Sequence, residues 1–136
     1  MTTYTLGTIR EFRTAKFRVI VDAIEDDAPD LSFDEDGSVR RGIDDGTFTL
    51  FTARARVIHD DLGEVASDYL GGCIYETLQT FQDHRRCRAA TRALRARGDS
   101  TAVCGSYFAD MVRTVCTDAR KRLRTLRDGL NGLTIR

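Results

Sequence analysis

Several groups of residues carry side chains able to do chemistry, and each has a purely structural alternative. Cys73, His84, Cys87 and Cys104 have zinc-ligand chemistry, and His84-x-x-Cys87 has the spacing of a ligand pair on one helical turn. The four together match no zinc pattern, and free cysteine packs readily as a small hydrophobe, as expected for Cys116 at the core edge of the last helix. The expectation is no resident cofactor, with a zinc-stabilised or redox module as a distant alternative. Ser32-x-Asp34-x-Asp36-Gly37-x-Val39 opens like a calcium-binding loop, but Ile43 stands where that loop needs a bidentate glutamate, which favours an acidic hairpin turn. His59 with Asp60 and Asp61, and His84 beside Asp83, offer imidazole next to carboxylate. Neighbours in a turn orient one another poorly. With no Gly-x-Ser-x-Gly, phosphate-cradling glycine loop or His-Glu-x-x-His, the reading is non-enzymatic and no residue is assigned a catalytic role.

Charge is the stronger signal. Residues 1–83 hold eight Arg/Lys against seventeen Asp/Glu, and residues 84–136 hold thirteen against four, so a net charge of zero hides two opposed halves. An acidic patch of Asp26, Asp27, Asp30, Asp34, Glu35 and Asp36 is one candidate partner-binding surface, since carboxylates can stand in for nucleic-acid phosphates on a basic partner. The alternative surface is arginine-rich: Arg85, Arg88, Arg92 and Arg95 with Arg120, Arg124 and Arg127 could follow a phosphate backbone. Against it, no aromatic platform is interleaved with these arginines, and the acidic half repels a polyanion unless it faces away.

These residues need a scaffold. Residues 4–12 and 17–24 alternate as two strands around Arg13-Thr14-Ala15-Lys16, and a small hairpin closed by Asp36-Gly37 is predicted between Leu31 and Arg40. A third strand runs from Thr47 to Ile58, with Phe51, Ala53, Ala55 and Val57 on its core face and Thr52, Arg54 and Arg56 on the other. Glu64 to Ile74 returns antiparallel, and a register centred on Asp61 sets Arg54 opposite Asp68. From Tyr75 the period becomes helical, with a short helix over Glu76 to Gln82 and a second over His84 to Arg97 that Gly98 stops. The last helix starts at a Ser106 cap, carries an apolar stripe from Phe108 to Leu130, and ends at Gly129 or Gly132.

The fold class is therefore α+β: an antiparallel sheet from the N-terminal half with two or three C-terminal helices packed on one face. A chain of 136 residues fits a single domain, 1–136, strand-rich and acidic over 1–75 and helical and basic over 76–136. No apolar stretch approaches the roughly 18 residues that span a bilayer, and no basic, apolar leader opens the chain, so a cytoplasmic protein with no membrane partner is expected, its cysteines reduced.

Three stretches, Tyr4–Phe12, Leu62–Glu76 and Cys104–Met111, resemble small uncharacterised proteins carried by proteobacterial phages and integrated mobile elements. What the resemblance implies is context. Small non-enzymatic proteins of such elements often bind a host complex, and anti-CRISPR inhibitors are a prominent case. The expected function is a non-catalytic interaction module, in its specific form an inhibitor of a host defence nuclease complex such as a CRISPR effector. A nucleic-acid-binding protein using its arginine-rich helices is the alternative.

Overall fold

The computed structural model describes residues 4–84, 92, 95–98 and 106–133. Four strands, β1 (Thr5–Arg13), β2 (Phe17–Ile24), β3 (Thr49–His59) and β4 (Gly63–Tyr75), form one antiparallel sheet in the order β1-β2-β3-β4. Helix α1 (Ser38–Asp44) lies in the β2–β3 connection, and α2 (Leu78–Asp83) and α3 (Tyr107–Asn131) follow the sheet. The result is an α+β fold with a C-terminal helix packed on the sheet.

Strict alternation makes the core. Phe51, Ala53, Ala55 and Val57 of β3 point to one face together with Val21 and Ala23 of β2, and Phe81, Phe108, Met111, Val115 and Ala119 of the helices cover them. Alanines at the centre of the sheet leave room for a helix to lie close, while aromatic rings fill the end nearer α2. Phe81 meets Phe51 and Tyr75 edge-on, with ring centroids 5.7 and 5.3 Å apart. Helices α2 and α3 each begin at a side-chain cap: the Thr80 amide donates to Thr77 Oγ1 at 3.1 Å, and the Ala109 amide donates to Ser106 Oγ at 3.0 Å. Gly98, at φ +98°, donates its amide to the Arg95 carbonyl, as expected of a glycine that ends a helix.

Two expectations need correction. The hairpin between Leu31 and Arg40 is not formed, and Ser38–Asp44 is helical instead. The Asp34 carboxylate accepts the amides of Val39 and Arg40 at 3.1 and 3.0 Å, so it satisfies helix-start donors that a strand would have sent across a ladder. The second correction is register. Val57 pairs with Ala66 but Ile58 pairs with Glu64, so Val65 is an extra residue on β4 and everything beyond it slips by one. Arg54 consequently faces Tyr69, and Asp68 faces Ala55 on the helix-covered side of the sheet.

Arg54 finds its carboxylate on the other neighbouring strand. Asp22 lies directly opposite on β2, accepting from Arg54 Nε at 2.9 Å and Nη2 at 2.7 Å, and from Arg56 Nη2 at 3.1 Å. Only 3% of Asp22 is exposed, so the two guanidiniums replace its water. The hydrogen bonds that Arg54 donates to Asp22 hold its pKa above the ordinary value although burial opposes this. Removing the carboxylate strands two cations on a half-dry face. Asp22→Asn should therefore lower the unfolding free energy by about 3 kcal/mol, whereas Asp22→Leu combined with Arg54→Met and Arg56→Met should recover most of it. Urea denaturation of the two variants checks this, and an unchanged midpoint for Asp22→Asn would contradict it.

Candidate functional site

The acidic candidate surface is the β2–β3 connection. Residues 25–46 hold nine Asp/Glu against Arg40 and Arg41. Such a segment repels itself, and its own backbone amides hold it in shape. Asp26 Oδ1 accepts from the Ala28 amide, Asp30 from Ser32, Asp36 from Ser38, and Asp45 from both the amide and hydroxyl of Thr47. Short side chains bonding the backbone two residues ahead are the usual turn chemistry of aspartate. Every such bond favours the charged form, so Asp30, Asp36 and Asp45 sit below the ordinary carboxylate pKa, in each case through bonds from the residue two positions on.

One of these contacts reaches the sheet. In β4 the register shifts between Phe51 and Ala53, leaving Gly71 and Gly72 bulged opposite Thr52. Gly72, at φ +66°, takes a backbone angle that favours glycine and aims its amide at Asp26 Oδ2, 2.8 Å away. Asp26 and Asp34 thus serve the fold directly, the first as a tether and the second as a helix cap. The carboxylates of Asp27, Glu35 and Asp44 take no part in the hydrogen bonds of the loop described here. Beside the loop opens a cleft of about 660 Å³, walled by Phe33, Val39 and Phe48 from the connection, Leu70 to Tyr75 from β4, and by Arg97 and Tyr107. Phe33 is 60% exposed, an aromatic ring at the lip of the cleft.

The basic candidates divide between two places. Arg92 and Arg95 are helical and exposed, whereas Arg85 and Arg88 lie outside the described residues. Arg120, Arg124 and Arg127 are exposed along the C-terminal part of α3, with Lys121 and Arg122 between them. This part of α3 lies by the β3–β4 turn, since Leu62 and Leu123 to Asn131 line one groove, while the acidic connection leaves and rejoins the sheet at the other end of β2 and β3. Among the described residues, no ion pair seen joins residues 25–46 to α3: Arg113 pairs with Asp110, Arg127 with Asp128, and Arg13 with Asp60. The acidic connection and the arginines at the C-terminal part of α3 therefore stand at opposite ends of the sheet, whereas Arg97 lies by the cleft beside the connection.

The remaining candidates are held by local packing. Cys73 is buried, its thiol donates to the Leu70 carbonyl at 3.2 Å, and burial pushes its pKa up to about 11. His84 is exposed and caps α2 against the Tyr75 ring, while Cys87 and Cys104 lie outside the described residues. His59 Nδ1 accepts the amides of Asp61 and Leu62, which makes it part of the β3–β4 turn. Among the described residues, no group of three His, Cys, Asp or Glu side chains converges as a metal site. Comparison with known protein families, curated proteins and solved structures finds no match.

Asp22 escaped the sequence reading as a site of interest, although a signal was present. Val19 to Ile24 is apolar at every position but that one, the mark of a strand buried on both faces, where a lone carboxylate must find cations. Asp68 shows the opposite electrostatics: burial, with the nearby Asp118 adding to it, raises its pKa. The signs oppose. The depressed Asp30, Asp36 and Asp45 contribute order that is present above the ordinary value of 3.8 and lost as pH falls through their folded values, while Asp68 favours the folded state most when protonated, at lower pH. Carboxyl carbon NMR should show Asp68 titrating above 3.8 and the three loop residues below it, with amide protection at Ser32, Ser38 and Thr47 fading as they protonate. The reverse order would contradict this assignment.

Proposed function

We propose that this chain is a non-catalytic interaction module that docks its acidic pole onto a basic surface of a protein partner. The observation that carries the reading is the backbone-ordered array of carboxylates in residues 25–46, which among the described residues forms no ion pair with α3, is tethered to the sheet by Asp26 and lies beside a largely apolar cleft. Carboxylates already ordered by the backbone lose little freedom on docking, their field speeds and orients encounter, and a cleft offers room for one apolar anchor. A partner that handles nucleic acid presents such a basic channel. In its specific form the proposal is inhibition of a host defence nuclease complex in the cytoplasm, an anti-CRISPR-like role in which carboxylates occupy the place of phosphates.

A second reading has one observation in its favour. Arg120 to Arg127 stand at the pole remote from the acidic connection, so a polyanion can reach them without meeting it. This would make the chain a nucleic-acid binder with steep salt dependence, since counterion release accompanies each phosphate contact.

The two readings separate in one experiment. The tagged protein is expressed in a proteobacterial host, and its co-purifying material is compared with and without nuclease, for the wild type and for Asp27→Lys/Glu35→Lys/Asp44→Lys. These substitutions avoid the capping and tethering carboxylates. The proposal expects a stoichiometric protein complex that survives nuclease and falls at least tenfold with the triple variant. Material that vanishes with nuclease and ignores the triple variant would overturn it in favour of the arginine pole.

A further inference from the structure

Helix α3 outruns the surface that it covers. Ala119 is its last buried residue, yet the helix continues to Asn131 and its apolar stripe continues with it. Leu126, Leu130 and Leu133 are 45, 69 and 68% exposed, and Leu62 on the β3–β4 turn is 59% exposed. Leu62, Leu123, Leu126 and Leu130 line one shallow groove of about 400 Å³. Scattered exposed leucines are ordinary, but a contiguous patch with charged borders marks an interface. Among the described residues, none buries the last turns of this helix, and isolated helical turns are marginal in water, so a partner on this stripe would also explain why it is long.

The borders of the patch indicate its occupant. Asp60 and Asp61 precede Leu62 and Glu64 follows it closely, while Arg120, Arg122, Arg124 and Arg127 interleave with the leucines of α3. A uniformly acidic surface, whether lipid or nucleic acid, would meet the carboxylates of the turn, and a uniformly basic one would meet the arginines. A patch that carries both signs around an apolar centre is self-complementary. We infer that a second copy of this chain covers it, in a two-fold dimer that sets the turn of each copy toward the helix of the other. Such a dimer leaves the acidic connections uncovered, because they lie at the other end of each sheet, so the inference holds whether or not the proposed docking role does.

Sedimentation velocity across the micromolar range tests it directly. The wild type should approach twice 15.3 kDa as concentration rises. Leu126→Glu/Leu130→Glu should weaken the dimer at least ~30-fold, as expected of central interface residues, with the far-ultraviolet circular dichroism of the fold unchanged. Leu62→Glu, outside the helix, should do the same and guards against an effect on α3 itself. A wild type that stays monomeric, or a dimer indifferent to both variants, would overturn the inference. A monomer that floats with phosphatidylglycerol vesicles would also overturn it, and would reassign the leucines to a lipid surface.

Discussion

Asp26 joins parts of the chain 46 positions apart. Its carboxylate receives the Gly72 amide that the β4 bulge has turned out of the ladder, and it receives Ala28 as well. That contact holds the start of a strongly acidic connection against the sheet, and the remaining aspartates then fold the segment through their own turns and the cap of α1. A flexible acidic loop of this length could swing toward the arginines of α3 and neutralise them. Held at its own end, it cannot, and the carboxylates of residues 25–46 stay apart from Arg120 to Arg127.

The other constraint is geometric. A four-stranded meander buries one face under helices, and here alanines at 23, 53 and 55 let the helical layer lie close while Phe51, Phe81 and Phe108 fill one end. On the opposite face Asp22 with Arg54 and Arg56 provides order. A buried carboxylate shared by two guanidiniums is not a strong source of stability, but it resists a change of register, because a one-residue slip of β2 against β3 would leave all three groups unpaired. The sheet is thereby fixed, and the positions of both poles with it.

Much of this scaffold was legible in the sequence. The period of two in β1 to β3 and the 3.6 period after Ser106 located the sheet and α3 within a residue or two, because alternation and capping are local signals. What failed was non-local or competitive. The bulges that slip Arg54 past Asp68 depend on how Val65 and Gly71-Gly72 fit a neighbouring strand, which spacing alone does not reveal. Asp36-Gly37 promised a hairpin, but the carboxylate of Asp34 captured two amides and turned the chain into a helix. Of the candidate surface, the acidic residues were visible in composition. Their division into tether, cap and outward charge was not, since it rests on hydrogen bonds to Gly72, Val39 and Arg40.

Charge separation can be read directly from amide chemical shifts of the uniformly ¹⁵N-labelled protein titrated in turn with an oligoarginine peptide and a heparin oligosaccharide. Separation of the two charged surfaces predicts that the cation perturbs residues 25–46 and the neighbouring cleft, that the anion perturbs α3 from Arg120 to Arg127, and that the two sets do not overlap. Overlapping sets, or an oligoarginine peptide that finds no site because the acidic connection is already paired within the chain, would contradict it.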